Sequence, residues 1–153
     1  MNTSEPLDQF IIEARECLEQ IGQRLLDVER TPDDKELLND LFRQVHTLKG
    51  NCGLFEFKAL ERVVHAGEDL LDRVRNGTLA YHAGIADALL DAMDYTGELI
   101  DIIAAEGKLP ESAHERSQTL AAALRLERGL ADLRRDGAFD VRPRWPLDQI
   151  TAA

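Results

Sequence analysis

Hydrophobic residues recur at three- and four-residue steps along most of this chain, and the rhythm breaks at four short polar stretches. That period places apolar side chains on one face of an α-helix. The first segment runs from about Ser4 to Glu29, with Leu7, Phe10, Ile11, Ala14, Cys17, Leu18, Ile21, Leu25 and Val28 on one face. Ser4 stands where an N-cap is needed, and Pro6 is tolerated in a first turn. Thr31-Pro32-Asp33-Asp34 predicts the next start. Thr31 would cap, Pro32 would take the first helical position, and the two acids would face the positive helix end. Leu38, Leu41, Val45, Leu48 and Cys52 make the inward stripe of this second helix, which ends at Gly53 and Leu54-Phe55-Glu56. The third runs from about Phe57 to Arg75, with Leu60, Val63, Val64, Gly67, Leu70, Leu71 and Val74 inward and Asn76-Gly77 as its stop. The fourth spans about Ala83 to Glu106, with Ile85, Ala88, Leu89, Ala92, Met93, Leu99, Ile102 and Ile103 inward, and stops at Gly107. The fifth starts near Pro110 and carries Leu120, Leu124, Leu130 and Leu133 before Gly137.

Short connections between amphipathic helices imply antiparallel neighbours, hence an all-α, up-and-down bundle. A chain of 153 residues suits one domain with a hydrophobic core, here residues 1–136. Beyond it, residues 137–153 lose the helical period and gain prolines, so they are predicted to be a linker or tail leading to further domains.

Charge narrows the partners. The net charge of −11 opposes binding to nucleic acid or to an anionic membrane surface. No apolar run approaches the roughly 18 residues that span a bilayer, and the N-terminus lacks a signal-peptide pattern. Cys17 and Cys52 both fall on apolar stripes, with no C-x-x-C. They are predicted to be buried thiols of a cytoplasmic protein.

Candidate chemistry gathers around His46. At 100° per residue, His46 sits at the edge of the second helix's inward stripe. Phe42, Lys49, Gly50 and Gly53 lie on the same face, one or two turns away. Two glycines within a helix cost about 1 kcal/mol each against alanine, which implies clearance for a ligand or for close helix packing. On the third helix, His65 and Glu68 share a face with Glu61 and Asp72. If the two helices form an antiparallel hairpin turning near Phe55, Glu68 comes level with His46. A carboxylate there would accept Nδ1–H, fix the tautomer and leave the Nε2 lone pair outward as a nucleophile. Lys49 would offset the charge of a phosphoryl group carried by His46. By itself His65 reads equally well as part of this network or as an exposed residue. His82 and His114, near helix starts, read as surface residues.

His46-Thr47-Leu48-Lys49-Gly50-x-x-Gly53-x-Phe55-x-Phe57, followed by His65-x-x-Glu68, resembles the histidine phosphotransfer domain, most of all the N-terminal one of CheA-type chemotaxis kinases. The resemblance implies an antiparallel four-helix bundle with an additional fifth helix. It implies His46 as the phosphoacceptor at Nε2, Glu68 as the carboxylate holding Nδ1, and Lys49 and His65 completing the network. It also implies a carrier without catalytic activity of its own. The ATP-binding kinase domain of a CheA-type kinase, in the same chain or another, would phosphorylate it, and a CheY-type receiver domain would remove the phosphoryl group. ATP and Mg²⁺ would belong to those partners, and the fragment would be monomeric. No P-loop pattern occurs in the chain. One position departs from the family, which often has glycine between the two phenylalanines where this chain has Glu56.

Two other classes compete. A metal-binding bundle would use Glu111-x-x-His114, or His46, His65 and Glu68, although Lys49 would repel a cation. An interaction bundle would instead use Phe42, Leu54 and Phe55 as exposed apolar contacts.

Overall fold

A computed structural model describes residues 5–135. Five α-helices follow one another: α1 Glu5–Arg30, α2 Lys35–Gly53, α3 Lys58–Arg75, α4 Ala83–Glu106 and α5 Ala113–Arg135. No strand occurs among the described residues. Helices α1 to α4 form a ring in which α1 packs on α2 and α4, and α3 packs on the same two, while α5 lies along α3 and α4. This is the expected four-helix bundle with a fifth helix. Ser4, the tail after residue 136 with Trp145, and the side chains of Leu130 and Leu133 lie outside the described residues.

The apolar stripes meet in one core. All the inward residues expected on α2 and α3 are buried, and on α1 Leu7 and Leu18 stand half-buried at its margin. Helix α4 departs from expectation. Ala88 and Ile102 are only half-buried, whereas Ala86, Tyr95, Thr96 and Ile100 are buried as well. The reason is that α4 is covered from two sides, by α1 and α3 and by α5, so one stripe cannot describe it. Two buried hydroxyls at these contacts find partners within the bundle. Tyr95 O–H donates to the Ala113 carbonyl at 3.1 Å, and Ser117 O–H donates to the Ala59 carbonyl at 2.8 Å.

The start of α2 is a correction. Asp34, and not Thr31, is the N-cap, and its Oδ1 accepts from the backbone N–H of Glu36 and Leu37 at 3.0 and 3.2 Å. Thr31 instead closes α1, with both its N–H and its hydroxyl donating to the Asp27 carbonyl. The carboxylate serves the two orphan N–H groups better because its charge also faces the positive helix end.

The α2–α3 turn positions everything that follows. Phe55 and Phe57 pack on Phe10 of α1, with ring centroids 5.2 and 6.1 Å away. Phe55 is therefore half-buried rather than an exposed contact. Between the two rings Glu56 takes φ 58°, the one left-handed non-glycine residue described. L-residues reach that region at a cost, because Cβ crowds the following carbonyl.

Candidate functional site

Helix α2 rises to the turn and α3 descends from it, so residues before the turn meet residues after it in reversed order. Phe42 meets Arg75, His46 and Lys49 meet Glu68, and Cys52 comes near Glu61. The site is the stretch of this seam that opens to solvent.

Glu68 is its anchor. Its side chain is only 8% exposed, yet it is charged, so both oxygens need partners. Oε2 accepts a hydrogen bond from Nδ1–H of His46, and Oε1 accepts from the Lys49 ammonium at 2.7 Å. Burial pushes the Glu68 carboxyl up. The hydrogen bonds and charges of Lys49 and His46 outweigh that push and hold it below the usual carboxylate range. An ionised Glu68 accepts only, so the proton of the shared bond sits on Nδ1. In the neutral ring Nε2 is then the nitrogen without a proton, and the His46 side chain is 62% exposed. The expected arrangement of His46, Lys49 and Glu68 is present, with one refinement. Lys49 does not stand free beside Nε2, because the buried carboxylate draws its ammonium inward. Two of its three donor positions remain for another anion.

His65 is less engaged. Its Nδ1 lies 3.9 Å from Glu68 Oε1, beyond hydrogen-bond reach, and its Nε2 lies 3.5 Å from Asp69 Oδ2. It borders the network at 59% exposure rather than completing it. Gly50 and Gly53 are open: a Cβ on either would meet nothing within 4 Å. Close helix packing therefore does not explain them. Leu54, at 75% exposure, juts out beside them.

Phe42 stacks on His46, with centroids 5.9 Å apart and planes 17° from parallel. The Arg75 guanidinium lies 4.0 Å from the Phe42 centroid and is tied to Asp72. Sequence reasoning passed over Arg75 and Asp69. The signal for Arg75 was the continuation of the Glu68 face along α3, which holds Asp72 and Arg75 one and two turns on, while Asp69, one residue past Glu68, lies off that face.

The remaining histidines are not simple surface residues. His82 caps α4, its Nδ1 accepting from the Gly84 N–H at 3.1 Å, and its Nε2 lies 3.6 Å from Glu127. The half-buried His114 ring meets the Arg62 guanidinium at 3.5 Å, a neighbour that opposes a cation beside Glu111. Ligand atoms of His65, Glu68 and Asp69 do lie within 4.8 Å of one another, but the Lys49 ammonium already occupies Glu68. Both cysteines are buried and unpaired, and burial pushes the Cys52 thiol up to about 12. Among the described residues, no helix is long and apolar enough to cross a membrane.

Comparison with known proteins bears on this geometry. The family model described as "Hpt domain" matches residues 5–99. The chemotaxis protein CheA of Bacillus subtilis (strain 168) is 34% identical over 103 residues, which are 67% of this chain and 15% of that relative. The chain thus spans a small part of the relative's length. The solution structure of the histidine phosphotransfer domain of CheA superposes with a TM-score of 0.73 at 29% identity, covering 80% of this chain and 91% of the other. The phosphorylated P1 domain of CheA3, solved in complex with CheY6 from R. sphaeroides, gives a TM-score of 0.73 at 27% identity, covering 80% and 94%.

Proposed function

The chain belongs to the Hpt domain family, and from that premise we propose that it is the phosphoryl carrier of a chemosensory two-component kinase, with His46 as the phosphoacceptor. One observation carries this reading: an exposed imidazole whose Nδ1–H is held by a buried, ionised carboxylate.

The chemistry follows from that contact. Glu68 fixes the proton on Nδ1, so the in-plane lone pair of Nε2 points to solvent and can attack phosphorus. As the N–P bond forms the ring gains positive charge, which Glu68 stabilises. Lys49 has donors left for a phosphoryl oxygen. The bare surface at Gly50 and Gly53 admits a folded donor or acceptor close to Nε2. The chain's own residues thus bind and orient the group, and they do nothing to activate a nucleotide. ATP and Mg²⁺ are supplied with the ATP-binding domain of a CheA-type kinase, in the same protein or a partner. The acceptor is a CheY-type receiver domain, a reading supported by the relative solved with CheY6. The exposed Leu54, which follows Gly53, offers an apolar group for such docking. A cytoplasmic setting suits two buried free thiols.

The test is incubation of the protein with a CheA-type kinase core and labelled ATP. The expected product is acid-labile, base-stable and absent from His46→Gln, whose helical circular dichroism stays that of the wild type. Label retained by a folded His46→Gln would remove His46 from the role, and no label with an active cognate kinase core would remove the function.

A further inference from the structure

One hydrogen bond does not orient a ring. The contact between Nδ1 of His46 and Glu68 fixes one point, about which the imidazole can still tilt, and most of the ring is exposed. Phosphoryl transfer needs the Nε2 lone pair, which lies in the ring plane, in line with the breaking P–O bond. Something must therefore set the plane. The one aromatic face on His46 among the described residues is that of Phe42, nearly parallel to it. Phe42 in turn is held from α3. The Arg75 guanidinium lies over it, and the Nε and Nη2 of Arg75 both donate to Asp72 Oδ1 at 3.0 Å. Asp72, Arg75, Phe42 and His46 thus form a continuous stack that starts on the last turn of α3 and ends at the reacting ring.

We propose that Phe42 is a positioning residue for phosphoryl transfer, braced by the Asp72–Arg75 pair, and that it sets the plane of the His46 imidazole. The inference rests on His46 being the phosphoacceptor. In the step concerned, the Nε2 lone pair forms the N–P bond. The bond from the γ-phosphorus to its bridging oxygen breaks, and the nucleoside diphosphate leaves with that electron pair. The Nδ1 proton stays in its bond to Glu68. Phe42 contributes orientation alone, and its face also favours the positive charge that the ring gains. This differs from a docking role for Phe42, which its partial exposure would also allow.

The experiment measures steady-state phosphorylation of the protein by a CheA-type kinase core in Phe42→Leu, Phe42→Tyr and Arg75→Gln, beside wild type and His46→Gln. In parallel, proton NMR reads the ring-current shift of the His46 ring protons. For Phe42→Leu, which keeps an apolar side chain but loses the planar face, kcat is expected to fall about tenfold with KM within twofold. The upfield ring-current shift should vanish. Phe42→Tyr restores both. Arg75→Gln, which leaves Phe42 and the core in place, lowers kcat by a smaller factor in the same direction and guards against Phe42→Leu merely unfolding. An unchanged kcat in Phe42→Leu and Arg75→Gln, or a raised KM at unchanged kcat, overturns the positioning role while leaving the phosphoacceptor intact. Wild type that is unlabelled, or labelled elsewhere than His46, overturns the functional reading and this inference with it.

Discussion

Replacing Glu56 by glycine should stabilise this protein, and the structure gives the size. Glu56 sits at φ 58° between Phe55 and Phe57, whose rings are anchored on Phe10, so the backbone cannot relax without unseating both. The left-handed conformation costs a non-glycine residue about 1–2 kcal/mol. Glycine removes that cost but adds freedom to the unfolded chain, which takes back about 0.4–1 kcal/mol. The difference centres on about 0.8 kcal/mol of added stability. For a domain of this size that corresponds to a rise in Tm of roughly 2–3 °C. Urea unfolding followed by circular dichroism measures it, with the expectation of a higher midpoint and an unchanged slope, because the buried surface is the same. Glu56 is exposed, and the chain carries a charge of −11, so losing one negative charge could itself help. Glu56→Gln isolates that contribution, since it keeps the side chain and the backbone cost. Glu56→Ala keeps the cost and lacks the side chain. If Glu56→Gly is no more stable than Glu56→Gln and Glu56→Ala, backbone strain is not the cause and the reasoning fails.

Other expectations follow from the same structure. Glu68 ionises more readily folded than unfolded. Its contribution to stability is therefore full above about pH 5, and fades as pH falls through the ordinary carboxyl range towards its lowered folded value. Glu68→Gln should flatten that acid limb in a pH series of urea midpoints; parallel curves for the two proteins would count against a buried, ionised Glu68. Asp34→Ala should cost about 1 kcal/mol through loss of the α2 cap, and Thr31→Ala markedly less; the reverse order would restore Thr31 as the cap. Cys17 and Cys52 should resist iodoacetamide at pH 8 until the protein unfolds, because burial disfavours both thiolates. Native-state labelling at the rate of free cysteine would contradict their burial.

The sequence by itself determined the helices, and the reason is that helical period and stop residues are local. The inward residues of α2 could be named one by one because that helix shows a single stripe to the core, whereas on α3 burial extends beyond the named stripe to Ala59, Ala66 and Glu68 because α4 and α5 cover it as well. The pairing of His46 with Glu68 was also legible, since an antiparallel hairpin with a short turn leaves little freedom of register. What only the tertiary structure decided depends on contacts between elements. The second buried side of α4 exists because α5 lies there, and nothing within α4 announces it. Which oxygen capped α2 was decided where the Asp27 carbonyl takes the Thr31 hydroxyl, leaving Asp34 to accept from the Glu36 and Leu37 N–H groups. Lys49 turned inward because Glu68 is buried, a property of the packed seam and not of either residue. Phe42 looked like an exposed docking residue on its own helix. Its place one turn from His46 was legible, but only the fold brings Arg75 over its ring, from the last turn of α3, seven residues beyond Glu68 on a face that periodicity marks as polar.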